Sequence, residues 1–208
     1  MILNIREMLI GDVTRLRYVT RFSTCHVVHR ENVAEHSYYV ALYAMFIADW
    51  VMRQEGLGPV DMRMLLMRSL LHDLDEARTG DFYRPFKYST SELGEALKAG
   101  AHRAFVEVVT SVVGGPATGP AKRFAYLWES SKADDPEGHI LSFADFLSVL
   151  GYMVQELQVA NLTMREHWST MSDYFQEFTD VRYDFIRPLV DQARTLVCEA
   201  FPDQKDQL

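Results

Sequence analysis

Apolar residues recur at three- and four-residue spacing along nearly the whole chain, while period-two alternation bounded by tight hairpin turns is scarce. That periodicity predicts an all-α fold. Val33 to about Val51 reads as a helix with Val40, Ala41, Ala44, Ala48 and Val51 on one stripe, ended by Gly56-Leu57-Gly58-Pro59. His36 lies on the same stripe. A second helix is expected from near Pro59 or Asp61 through Leu65, Leu66, Leu70 and Leu71 to about Thr79-Gly80, carrying His72 and Asp73 towards its end. Asp81-Phe82-Tyr83-Arg84-Pro85-Phe86-Lys87-Tyr88 reads as a loop that is unusually aromatic and basic for a connector. Helices then follow from about Ser91 to Val113, around Ala121 to Ser131, and from His139 to about Ala160, the last with Asp145 inside its apolar run. The remainder keeps helical periodicity, with a break near Arg187-Pro188 and a polar tail.

With no repeat or linker in view, all 208 residues are read as a single domain, its core spanning about 14–160 and its C-terminal helices packing on it. A hydrophobic content of 48% is enough for a sizeable core. The net charge of -8 opposes attraction to a nucleic-acid polymer or an anionic membrane, so a small anion is the better partner. Cys25 and Cys198 form neither a CxxC motif nor a disulfide framework, which fits a reducing, cytoplasmic setting. No basic segment precedes a long apolar stretch at Met1-Ile2-Leu3-Asn4, and no window holds about 18 uninterrupted apolar residues, so neither signal nor membrane span is expected.

Three separated helices each set metal-capable groups among apolar neighbours: His36, the pair His72-Asp73, and Asp145. Imidazole nitrogens and carboxylate oxygens suit a borderline or hard divalent ion, and the lack of a cysteine cluster argues against a structural zinc site. Taken singly, a histidine on a helix stripe is more often a hydrogen-bonded core residue than a ligand. Asp145 is harder to account for that way. Flanked by Phe143, Phe146 and Leu147, its carboxylate would cost several kcal/mol to bury unpaired, so it requires a metal, a basic side chain or a set of donors.

Glu35-His36-Ser37, Leu71-His72-Asp73 and Ala144-Asp145, in that order, resemble the H…HD…D signature of the HD superfamily, whose fold is a compact helical bundle. Within it the chain is most similar to the YfbR-like 5'-deoxynucleotidases. The stretches Arg30-Glu31-Asn32-Val33-Ala34-Glu35-His36-Ser37 and His72-Asp73-Leu74-Asp75-Glu76-Ala77-Arg78-Thr79-Gly80-Asp81 follow that family's pattern, and Pro85, Lys87 and Tyr88 extend it. The resemblance covers roughly residues 14 to 157. It implies that His36, His72, Asp73 and Asp145 hold one divalent transition metal per subunit, such as manganese, cobalt or zinc. It also implies that Glu76 positions or deprotonates the attacking water and that Asp81 assists the leaving group or holds substrate. The spacing agrees, since Glu76 follows His72 by four residues and Asp73 by three; the alternative is a helix-end carboxylate paired to Arg78.

Arg21 matches the family's arginine ahead of the first metal histidine, and its guanidinium fork suits phosphate oxygens. Lys87 is a second phosphate candidate. Phe22 stands where the family carries a tryptophan that crowds the sugar 2' position, and Arg84 replaces a small polar residue, a candidate reader of additional phosphates. His26 and His29 line the pocket or stand exposed in a loop, the second being favoured, while Tyr83, Phe86, Tyr88 and Tyr152 are candidates for stacking on a base. The resemblance therefore implies phosphate release from deoxynucleoside monophosphates by a homo-oligomer. A deoxynucleoside triphosphate (dATP-type) triphosphohydrolase is the alternative within enzymes, and a non-catalytic nucleotide-binding module the alternative outside them.

Overall fold

The chain folds locally where its caps dictate. In the computed structural model, which describes residues 3–54, 58–87, 89–115 and 119–200 but not the side chains of Arg84 and 168–171, Asn32 opens helix α2 (Val33–Met52). Asn32 Oδ1 accepts the Glu35 N–H at 3.0 Å and Glu35 Oε2 accepts the Asn32 N–H at 3.1 Å, a reciprocal box that satisfies two otherwise orphaned donors. A short helix α1 (Ile5–Ile10) and a 3-10 turn (Asp12–Tyr18) precede it. Asp61 caps α3 (Met62–Leu71), which is followed by two single-turn helices, α4 (Glu76–Thr79) and α5 (Arg84–Lys87). Helix α6 (Ser91–Val113) starts on Thr90 and stops at Gly114, whose φ of 76° is a conformation that L side chains rarely adopt. Helices α7 (Gly119–Glu129), α8 (Pro136–Gln158), α9 (Trp168–Glu177) and α10 (Arg187–Ala200) complete the chain, with 3-10 turns at Leu162–His167 and Val181–Ile186.

Among the described residues there is no strand, only an isolated bridge between Thr20 and Asn32 that closes the base of a loop. The all-α expectation therefore holds, and the Arg187-Pro188 break is a change from 3-10 turn to helix. Part of the predicted Gly56-Leu57-Gly58-Pro59 break and the polar tail lie outside the described residues.

Two apolar clusters carry the packing. The larger joins α2, α3, α8, α9 and α10 through Val40, Ala44, Leu65, Phe146, Phe175 and Val190; the smaller joins Leu16, Val33, Leu74, Phe105 and Ala121. His36 falls between Val33 of one cluster and Val40 of the other, and its side chain is 0% exposed. The central helix α8 is long and apolar enough to cross a membrane by length and composition, but 61% of that window is buried against the other helices, as a core helix should be.

The second predicted helix is where structure and sequence part. Instead of running to Thr79-Gly80, it ends at Leu71 and tightens through His72–Asp75 before α4. Trp128 Nε1–H donates to the His72 carbonyl at 3.1 Å and to Asp75 Oδ1 at 3.1 Å, so a tertiary contact takes a carbonyl that a continuous helix would have used. The local bonds contract accordingly, with Leu74 N–H on Leu71 O and Glu76 N–H on Asp73 O.

Below that turn, Arg68 is buried on α3 and donates through Nη1 to both oxygens of Asp135 at 2.7 and 2.9 Å. Asp135 Oδ1 also accepts the Gly138 N–H at 2.7 Å, so one carboxylate caps α8 and ties it to α3. This fixes the angle at which Asp145, farther along α8, meets the His72-Asp73 turn.

Candidate metal centre and active site

Three elements deliver the candidate ligands: α2 brings His36, the tightened turn after α3 brings His72 and Asp73, and α8 brings Asp145. Ligand atoms of His36, His72 and Asp145 all lie within 4.8 Å of one another. His36 Nε2 is 3.1 Å from Asp145 Oδ1 and 3.5 Å from Asp73 Oδ2, and His72 Nε2 is 3.1 Å from the same Asp73 oxygen. Three of the four predicted ligands therefore form one tight group, and Asp73 lies against both of its imidazoles.

The imidazoles are held by their far nitrogens. His72 Nδ1 donates to the Ser69 carbonyl at 2.7 Å, which turns Nε2 toward the carboxylates. His36 Nδ1 meets Ser148 Oγ at 2.9 Å. Both Nε2 atoms are buried without a hydrogen-bond partner, so the cluster presents two orphaned nitrogens beside two carboxylates. A divalent cation satisfies all four at once, and the second set of hydrogen bonds is the kind that orients histidine ligands. The donor set fits a transition metal.

The charges agree. Burial and the nearby Arg21 charge push the His36 imidazole down to about 4, leaving it neutral and able to ligate. Burial opposes charging His72, Asp73 and Asp145, yet in the metal-free protein the His72–Asp73 contact raises the imidazole and holds that carboxyl well below the usual range, as Lys132 does for Asp145, so a metal taking the His72 nitrogen would displace its proton.

A cavity of about 670 Å³ opens over this cluster. Asp73 and Asp145 are at its wall together with Arg21, Phe22, Glu76, Asp81 and Lys87, so every predicted catalytic residue and three of the four predicted substrate contacts line one space. The side chain of the fourth, Arg84, lies outside the described residues, as does Tyr88. Glu76 does not pair with Arg78: that guanidinium goes to Asp12 and Glu107, whereas Glu76 Oε2 is buried without a partner. Burial, reinforced by Asp73, Asp81 and Asp75, pushes the Glu76 carboxyl up to about 10. Positive charge placed among these carboxylates acts in the opposite direction.

Arg21 is tied to Glu31 at 2.8 Å and is 12% exposed. Phe22 next to it adopts φ 52°, a strained conformation for a non-glycine residue, and its ring stacks on Tyr152 with centroids 4.8 Å apart. Phe22 and Asp81 line the same cavity, so the loop meets the substrate side of the site. Tyr83 and Phe86 line the cavity, while Tyr152 serves as the platform under Phe22 rather than as a lining residue. His26 and His29 are exposed; their carbonyls accept from Asn161 Nδ2 at 2.8 Å and Tyr152 OH at 2.5 Å, and the His29 ring meets Glu156 Oε1 at 3.3 Å.

Two residues escaped the sequence reading. Lys132, in the turn before α8, reaches Asp145 Oδ2 at 2.5 Å. Glu156, fully buried on α8, accepts the N–H groups of Val28 and His29 at 2.7 Å each and Asn161 Nδ2 at 2.6 Å, clamping the loop that carries Arg21 and Phe22. Burial opposes its charge, but these donors hold its carboxyl below the ordinary range. The argument that singled out Asp145, a carboxylate within an apolar helix, applies equally to Glu156. Glu156→Ala strands three donors, and each buried unmet donor costs about 1–3 kcal/mol less whatever water recovers at this exposed loop. We expect a loss of roughly 2–4 kcal/mol in urea unfolding, only partly recovered in Glu156→Gln, because both carboxylate oxygens accept N–H groups and the amide nitrogen would set a donor against a donor.

A family model described as 5'-deoxynucleotidase YfbR-like matches residues 9–191. The chain belongs to the YfbR-like family. It is 28% identical over 181 residues to the 5'-deoxynucleotidase YfbR of Escherichia coli, covering 80% of this chain and 87% of that one. A solved HD-domain phosphohydrolase of Listeria innocua superposes with a TM-score of 0.72 at 25% identity, over 91% of this chain and 89% of its own. A cyanophage S-2L HD phosphohydrolase, solved bound to dA and one catalytic Zn2+, shares the fold with a TM-score of 0.56 at 20% identity, over 88% and 94%. As a YfbR-like protein, this chain is an HD-type phosphohydrolase built on one helical bundle, as its motif order implied.

Proposed function

We propose that this YfbR-like protein is a metal-dependent 5'-deoxynucleotidase that releases phosphate from deoxynucleoside monophosphates. The observation that carries the reading is the pair of orphaned imidazole nitrogens facing Asp73 and Asp145 in a cavity that Arg21 and Glu76 also line. The 28%-identical E. coli relative, a 5'-deoxynucleotidase by name, supports the choice of substrate.

His36, His72, Asp73 and Asp145 would hold a divalent metal, which when bound would supply Lewis acidity toward phosphoryl oxygens and positive charge for the transition state. Arg21, steadied by Glu31, receives the phosphate through its guanidinium fork. Glu76 orients water and takes its proton as the oxygen attacks phosphorus. Asp81, whose carboxyl burial pushes above its ordinary value, lines the same cavity and in its protonated form would deliver a proton to the departing 5'-oxygen. Phe22 is backed by Tyr152 and so cannot swing away from the sugar without breaking that stack.

Metal-loaded protein incubated with each deoxynucleoside mono- and triphosphate tests this. Nucleoside and inorganic phosphate from monophosphates are expected. Tripolyphosphate from a triphosphate would establish the triphosphohydrolase reading instead, and binding without phosphate release a non-catalytic module.

A further inference from the structure

Lys132 stands in the turn between α7 and α8, where the Ser131 N–H bonds to Trp128 O at 3.1 Å and the Ala133 N–H to Ser130 O at 3.2 Å. The Asp145 carboxylate divides its oxygens: Oδ1 turns to His36 Nε2 at 3.1 Å, and Oδ2 to Lys132 Nζ at 2.5 Å. The ammonium is thus one carboxylate width from the imidazole cluster. An ammonium has three donors, and Asp145 occupies one. The Lys132 side chain is 47% exposed, against 15% for Asp145, and both line the cavity, so the remaining donors are open to whatever enters it.

Arg21 arrives from a different part of the chain yet feels the same two carboxylates, Asp73 and Asp145, that Lys132 feels. Two cations from two elements therefore converge on one anionic floor. A phosphoryl group in transfer spreads its charge over three equatorial oxygens, more than one guanidinium fork can cover. A lysine, being a compact point charge on a flexible stem, can follow an oxygen that moves during the reaction.

We propose that Lys132 is a substrate-binding residue whose ammonium donates to a non-bridging oxygen of the phosphoryl group being hydrolysed, sharing that group with Arg21. The assignment rests on the phosphohydrolase reading above. It gives the pocket a second fixed cation on the same phosphate, as suits a substrate with a terminal, doubly charged phosphate.

Binding of inorganic phosphate to metal-loaded wild type, Lys132→Met and Lys132→Arg, measured by calorimetry beside metal affinity and kcat/KM, tests it. In Lys132→Met, phosphate binding should weaken about 10-fold or more and kcat/KM should fall roughly 100-fold, with metal affinity within about 3-fold. Lys132→Arg should recover part of the phosphate binding. Unchanged phosphate affinity in Lys132→Met would overturn the assignment, and so would a parallel loss of metal, because the lysine would then act only by holding Asp145. Equal melting temperatures of the three proteins rule out misfolding as the cause. Should the wild type turn over no deoxynucleotide, the functional reading fails, while the phosphate comparison still decides for or against Lys132.

Discussion

His72→Ala and Asp73→Ala are expected to abolish tight metal binding and phosphate release together. His72 offers the cluster a fixed nitrogen because its Nδ1 is committed to the Ser69 carbonyl, which orients Nε2 toward the carboxylates. Asp73 offers an oxygen between both imidazoles, 3.1 Å from one and 3.5 Å from the other. Loss of groups that merely orient a ligand lowers metal affinity about 10–100-fold, and loss of a ligand should exceed that. The metal supplies several kcal/mol of charge stabilisation, so turnover should fall by on the order of 10³-fold or more. Metal titration by calorimetry and phosphate release on the same samples check this. Wild-type affinity in either variant would remove that residue from the ligand set.

Glu76→Gln should separate what those variants lose together. The carboxyl touches no other described group through Oε2 and is not one of the clustered ligands, so metal affinity should stay near the wild-type value. A positioned base contributes about 10²–10⁴-fold, and kcat should fall by that order with KM little changed. Full kcat in Glu76→Gln would end its assignment as the base. The same variant carries a stability signature in metal-free protein. The folded carboxyl is raised to about 10 from an ordinary value of 4.5, so above the ordinary value the unfolded chain sheds a proton that the folded chain keeps. Stability from this group is therefore lost as pH rises between those two values, and Glu76→Gln should flatten that part of the slope in urea denaturation series.

Much of the site is legible without coordinates because each ligand breaks a local rule. Asp145 is a charge in an apolar run, His36 sits on the buried stripe of α2, and the pair His72-Asp73 follows a run of leucines. Lys132 breaks no rule. A lysine in a polar, proline-bearing turn looks like a solvated charge, and only the path of the turn between α7 and α8 brings it back onto Asp145. Tyr152 was legible as an aromatic near the site, but its role was not: stacking on Phe22 depends on the left-handed backbone at Phe22, which a phenylalanine codon does not advertise.

Periodicity determined the helical class and placed α6, since these depend on side-chain spacing along the chain, and motif order named by resemblance the groups that the fold then brings together. Tertiary structure decided where the second helix stops, which cation meets Asp145, and what holds the Arg21 loop in place. Those outcomes turn on carbonyls, ammonium groups and buried carboxylates finding partners from elements far apart in sequence, and a partner's distance in space is not written in its distance along the chain.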